Sequence, residues 1–348
     1  MEPIDQIRDN GQKAGRQLLD RGVQQVTPWS RRLGLIICLV SLAVFPLVCG
    51  EFVAAHPGLD PDIDEITHEL EKNPENVDLL IKRGRLYRSN GELSDSLDDL
   101  DRAEELAPEN RRIILERGFT LSAMGHDRDA EVALDQYLEQ ATGRTRLDAL
   151  AERAHIHART GQADLAIADF TSAISMHPAM ALYLARGELQ ESLGHLEDAA
   201  SGYHEGLSRL GNAVLLKKGL IRVETKRKRY AAVLALIDEE LDRASVKTEW
   251  HLRRAEVLAA LGKDQAAQSA HEQALAESNR VLGKRMTASH LLTRAKVYIA
   301  MGRVQEAKHE LQLATQKAPR FSEASELLKQ LEAEHQASPQ EVPNAKAH

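Results

Sequence analysis

His155 and His157 come nearest, in this 348-residue chain, to a pair of metal ligands. They stand two apart, and on a helix residues two apart point away from each other. No Cys, Asp or Glu sits at a spacing that completes the three or four convergent ligands of a metal site. No HExxH, phosphate-cradling glycine loop or nucleophile elbow occurs. Without a convergent acid, base or nucleophile no catalytic residue is assigned, and the chain is expected not to be an enzyme. No metal, cofactor or small-molecule substrate is expected. Lys226-Arg227-Lys228-Arg229 is a basic run of the kind that meets nucleic acid. The whole chain carries a net charge of −8, however, whereas nucleic-acid binders are usually basic, so no nucleic acid is expected and the run reads as a solvated turn. The two cysteines, Cys38 and Cys49, fall in one apolar segment, which leaves the rest of the chain without a disulfide, a Cys-based zinc site or a thiol nucleophile.

That apolar segment, residues 33–49, reads LGLIICLVSLAVFPLVC and carries no charge. Arg31 and Arg32 precede it, and Glu51, Asp60, Asp62 and Asp64 follow. The positive flank should stay cytoplasmic, so everything after residue 50 is expected to cross the membrane. Its seventeen residues are short for a spanning helix and long for a signal core. Val53-Ala54-Ala55 looks like a small-residue cleavage site, while the stretch before the apolar run is long for a signal. Retained anchor and cleaved signal both stay open. Ser30 to Leu35 resembles a twin-arginine export signal, but Arg31 and Arg32 are favoured as positive-inside residues. Val48 before Cys49 disfavours a lipoprotein cysteine, so Cys49 reads as buried and apolar. Residues 1–32 are then a cytoplasmic tail or signal n-region, and 33–50 a transmembrane anchor or signal core.

The remainder must supply the architecture. Hydrophobic residues make up 43% of the chain and aromatics only 4%, so Ala and Leu dominate, as suits closely packed helices. A frame recurs. Gly84 is followed three residues later by Tyr87 and seven later by Gly91; Ala295 is followed likewise by Tyr298 and Gly302. Between them the small residue returns as Gly118, Ala154, Gly187, Gly219 and Ala255. The residue seven on is Gly125, Gly161, Gly194, Lys226 and Gly262. Five further stand Ser96, Ala130, Ala166, Ala199, Ala231, Ala267 and Ala307. Seven beyond those are Ala103, Tyr137, Ala173, Gly206, Asp238, Ala274 and Ala314. Pro108, Pro178 and Pro319 close three units, and the units are spaced by 34, 36, 33, 32, 36 and 40 residues. Each position has a physical role. The first small residue lets two helices approach, and the Gly supplies a left-handed end to the first helix. The Ala packs the second helix on the first, and Pro ends it. No unit can bury its apolar face alone, so the units must stack.

This pattern resembles the tetratricopeptide repeat, whose period is about 34 residues. The resemblance covers 77–321, with units near 77–110, 111–144, 147–180, 180–213, 212–245, 248–281 and 288–321. Units one, three and seven fit best and the fifth diverges most. It implies an all-α fold, a right-handed superhelical solenoid of about seven helix pairs with a C-terminal capping helix. Residues 51–76 form a linker and leading helix, with Ile63, Ile66 and Leu70 on one face. Residues 322–336 form the cap, with Leu327, Leu328 and Leu331 facing the last unit. The tail 337–348 is expected to be disordered.

The resemblance further implies that the first helix of each unit, helix A, lines a concave groove. Residues one and four after the small residue would face it: Arg85, Arg88, Phe119, Ser122, His155, Ala158, Glu188 and Glu191, then Leu220, Val223, Glu256, Ala259, Lys296 and Ile299. Arg112 and Arg159 add to the first end, and Glu224 and Glu249 to the middle. The partner-binding set is Arg85, Arg88, Arg112, Phe119, His155, Arg159, Glu188 and Glu191. The groove would start basic, turn acidic near the fourth unit, and become largely apolar. The carboxylate clamp of some family members uses Lys and Asn on helix A; here Arg85 and Ile81 stand in their places in the first unit, so that clamp is not evident. The expected function is a non-catalytic scaffold, membrane-tethered through 33–49 or exported, that binds an extended segment or helix of a protein partner. The alternative is an accessory subunit of an envelope enzyme or assembly complex, or a self-associating structural protein. The repeat domain would lie on the non-cytoplasmic side, in the periplasm if the source is bacterial.

Overall fold

The computed structural model of the protein describes residues 60–337. The run 33–49, both cysteines, Val53 to Ala55 and residues 338–348 lie outside the described residues. Those described form sixteen α-helices and no strand. α1 (Asp60–Lys72) leads, and seven helix pairs follow. They are α2 (Val77–Asn90) with α3 (Leu93–Leu106), α4 (Arg111–Ala123) with α5 (Asp127–Leu138), α6 (Gly143–Arg159) with α7 (Ala163–Met176), and α8 (Met180–Ser192) with α9 (Leu196–Leu210). Then come α10 (Val214–Lys226) with α11 (Tyr230–Arg243), α12 (Thr248–Ala260) with α13 (Asp264–Lys284), and α14 (Ala288–Ala300) with α15 (Val304–Lys317). α16 (Ser322–Ala337) closes the array. Among the described residues no helix is long and apolar enough to cross a membrane.

The frame positions fold as their chemistry dictates. Six glycines at the end of helix A, Gly91 to Gly302, have positive φ between 69° and 87°. At the first, Gly91 N–H donates to Arg88 O and Glu92 N–H to Tyr87 O, which satisfies carbonyls the helix leaves open. The small residues of the second helix are buried: Ser96, Ala130, Ala166, Ala199 and Ala307 are all 0% exposed. Asn76, Asn110 and Thr287 cap α2, α4 and α14 by accepting from Leu79, Arg112 and His290 N–H. Ile63, Ile66 and Leu70 of α1 are buried, and Leu331 of α16 is buried beside half-buried Leu327 and Leu328. Units one, three and seven share a further device. Arg83–Asp99, Arg153–Asp169 and Arg294–Glu310 join the two helices of one unit at 2.6, 2.7 and 2.7 Å.

Unit five departs from the expected frame by two residues. Its left-handed residue is Lys228, φ 59°, and not Lys226. The buried positions are Ile221, Val233 and Glu240, whereas Ala231 and Asp238 are exposed. Placed on Ile221, the unit begins 34 residues after Gly187 and 34 before Ala255. Leu220 and Val223, expected in the groove, are therefore core residues at 0% exposure, and Arg222 takes the concave position. Gly219 is small for another reason. A Cβ there would meet Tyr203 Cζ at 2.7 Å, so the glycine admits a neighbouring ring. Lys228 is the one non-glycine residue with positive φ among those described. Lys228→Gly should relieve that conformation and raise stability by about 1 kcal/mol. A thermal melt showing no gain would count against the shifted frame.

Candidate functional site

The A helices α2, α4 and α6 pack in succession, and their shared face encloses a concavity of ≈690 Å³. Arg85 and Arg88 line it from α2, Glu116, Phe119 and Ser122 from α4, and Asp148, Glu152, His155 and Arg159 from α6. Five of the eight residues expected in the groove thus come together: Arg85, Arg88, Phe119, His155 and Arg159. Arg112, Glu188 and Glu191 do not line it. Arg112 makes an exposed pair with Asp78 at 2.6 Å. Glu188 is half exposed, 3.8 Å from Arg222. Glu191 is buried under Arg222 and Lys226, at 2.7 and 2.8 Å. Burial alone would raise its carboxyl, but the bonds from those two cations leave it below the ordinary carboxylate range.

The basic character expected of this end is corrected by the partners of its arginines. Glu116 is 2% exposed and sits between two of them. Arg85 Nε donates to Oε1 at 3.0 Å and Arg85 Nη2 to the same oxygen; Arg88 Nη2 donates to Oε2 at 3.0 Å. Arg88 also lies over the Phe119 ring, 5.4 Å from its centroid. Arg159 donates to Asp127 Oδ1 at 2.5 Å and to Ser122 Oγ at 3.0 Å, and Ser122 Oγ donates to Glu152. Arg85, Arg88 and Arg159 therefore face Glu116, Asp148 and Glu152 across one cavity. Of these, Asp148 is exposed and forms no ion pair among the described residues.

His155 presents an accessible edge to the cavity and packs edge-to-face on Phe170, with ring centroids 5.1 Å apart. Burial pushes its imidazole below the ordinary value, Glu152 pulling the other way. It is thus a neutral donor and acceptor near pH 7. His157 points to the opposite side, as their spacing requires, and is buried between Glu131 and Asp169, each 3.3 Å away. Those carboxylates come from α5 and α7, so sequence neighbours could not reveal them. Among the described residues no group of three His, Cys, Asp or Glu is placed to hold a metal ion.

The concave charges form rungs between successive A helices. Arg85–Glu116, Lys218–Glu249 and Arg222–Glu191 each link one unit to its neighbour. The partners in each are thirty-one residues apart, a signal present in the sequence and missed. Lys296 reaches Glu323 of the cap at 2.6 Å. Glu256 is accessible on the same side without an ion pair among the described residues, and burial among its neighbours raises its carboxyl despite Arg253. The basic run forms an exposed turn, as expected, but three of its four cations are engaged. Lys226 pairs with Glu191, Arg227 with Glu197 and Glu224 at 2.9 and 2.8 Å, and Arg229 lies 3.8 Å from Glu224. Only Lys228 of the four lacks such a partner among the described residues.

Antiparallel helix pairs, six of the seven with a left-handed glycine at the end of the first helix and several joined to the next by ion pairs along one face, make a superhelical solenoid of the tetratricopeptide type. Residues 151–207 match the family model of the tetratricopeptide repeat. The C-terminal part of a TPR repeat-containing protein from Cytophaga hutchinsonii is similar in structure, with a TM-score of 0.52 and 14% identity over 71% of this chain and 98% of that one. A tetratricopeptide repeat protein from Parabacteroides merdae gives a TM-score of 0.48 and 18% identity over 74% and 98%. No curated protein matches the sequence.

Proposed function

We propose that the protein is a non-catalytic scaffold, tethered to a membrane or exported, that holds a segment of a protein partner in the α2–α4–α6 concavity. The observation that carries this reading is the cavity itself. It is wide enough for side chains, and it joins an apolar ring at Phe119, a neutral imidazole at His155 and an unpaired carboxylate at Asp148. Such a mixture of a ring and a few convergent polar groups suits a peptide segment. Charge reversal at Arg85 or Arg88 is a poor test, because it would set a carboxylate against buried Glu116.

Asp148→Lys is the better probe, since Asp148 is exposed and unpaired among the described residues. Asp129→Lys, on the exposed first turn of α5, serves as control. A partner captured from detergent-solubilised membranes by the parent chain should be retained roughly tenfold less by Asp148→Lys and equally by Asp129→Lys. Equal capture by all three chains would rule the cavity out as the docking site.

A further inference from the structure

The two long edges of the solenoid differ in chemistry. One edge carries the turns from helix A to helix B. There the first turns of the B helices are acidic: Asp95, Asp127, Asp164, Asp198, Asp264 and Glu306. The other edge carries the turns from each helix B to the next helix A, and it is apolar with a basic flank. Met176 and Met180 are exposed there at 41% and 39%. Leu210 and Val214 repeat those two places thirty-four residues later, again exposed. Val246 and Met286 continue the line in the next turns at 50% and 55%. Stacking sets equivalent turns of successive units side by side, so these residues make one strip. An apolar strip left open by the fold marks a docking surface.

Charge decides what the strip meets. Arg144, Lys284, Arg285, Lys317 and Arg320 stand in these turns or beside them, all exposed, and none forms an ion pair among the described residues. On the concave face, by contrast, the cations are engaged in the rungs. Glu75, Glu109, Glu139 and Asp242 are exposed acids on this edge without an ion pair among the described residues, and five of the seven A helices carry no acid in their first turn. Apolar side chains edged by free Lys and Arg match an anionic lipid surface, where the methylenes enter the headgroup layer and the cations meet phosphate. The opposite edge also exposes Leu165, Leu193 and Leu261, but there Asp95, Asp129, Asp164, Asp198 and Asp264 outnumber Arg128, Lys228 and Lys263 among the exposed charges without an ion pair among the described residues, which favours the first edge for an anionic surface. Ten residues, 50–59, separate the apolar run 33–49 from α1. Such a length spans about 35 Å at most, so a bilayer holding 33–49 would be within reach.

We propose that the edge formed by the helix B to helix A turns rests on an anionic phospholipid bilayer. The array would then lie along the membrane with its acidic edge outward. This rests on the tethered reading only for proximity, and the two can be separated.

The full chain would be reconstituted into vesicles of phosphatidylcholine and photoactivatable phosphatidylglycerol, and crosslinked peptides mapped by mass spectrometry. Crosslinks are expected in 176–180, 210–215 and 284–286, beside any in 33–49. Lys284→Glu with Arg285→Glu should cut those at 284–286 by roughly tenfold or more and leave 33–49 unchanged. These residues are exposed and unpaired, so an unchanged circular dichroism melt would show that folding survives. Crosslinks at 33–49 alone, or equally along both edges, would overturn the proposal. Crosslinks at the turns without any at 33–49 would support it and remove the tether instead. Protection of the same turns in lipid-free detergent that rises with protein concentration would assign the edge to a second copy and overturn the lipid reading.

Discussion

Lys217→Met should lower stability by about 3–5 kcal/mol, the loss expected when one partner of a buried ion pair is removed. Lys217 and Glu240 are each 3% exposed. The Lys217 Nζ lies 2.5 Å from Glu240 and 3.2 Å from Glu239, and donates to Asn212 Oδ1 at 3.1 Å. Methionine fills the volume of the stem but leaves Glu240 as a buried carboxylate without its cation. The second change separates charge from packing. Lys217→Met with Glu240→Leu removes both charges, and it should recover most of the loss because the paired ions contribute little over a well-packed apolar pair. Thermal unfolding read by helicity checks both. If the single variant melts like the parent, water reaches Glu240 and the pair is not buried in solution.

Gly187→Ala should cost about 1–3 kcal/mol through overpacking. A Cβ at 187 would stand 2.5 Å from Tyr203 Cζ, and one at 219 would stand 2.7 Å from the same atom. The ring is fully buried between α8 and α10, so retreat from one helix drives it into the other. Gly219→Ala should therefore behave alike, and both should be nearly neutral once Tyr203→Leu has removed the ring. Additive losses in the Tyr203→Leu background would show that the strain lies in the backbone instead.

The same tyrosine explains where reading the sequence failed. Six helix ends were legible because a left-handed residue selects Gly strongly, and Gly91 or Gly302 can stand for little else. The faces of α1 and α16 were legible because Ile63, Ile66 and Leu70, or Leu327 and Leu331, fall on a simple helical period. Unit five misled because Gly219 is small to admit Tyr203 and so imitated the frame residue. Two core positions there are occupied by Lys217 and Glu240, letters that read as surface. In the groove, the positions of Arg85, Arg88 and His155 followed from what the family resemblance implies for helix A. The neutralisation of Arg85 and Arg88 did not, since Glu116 sits on the next unit and meets them only after stacking has set the offset between helices.

The rungs along the concave face also make the solenoid a spring of unequal stiffness. Glu116 and Glu191 hold their cations with carboxylates buried to 3% and 7% exposure, where salt screens little. Lys218–Glu249 and Lys296–Glu323 lie in the open, with carboxylates 47% and 56% exposed, where salt screens strongly. Added salt thus loosens the joints toward the C-terminal end and leaves the one beside the α2–α4–α6 cavity taut. The concave face is therefore held more firmly at its first end than at its last.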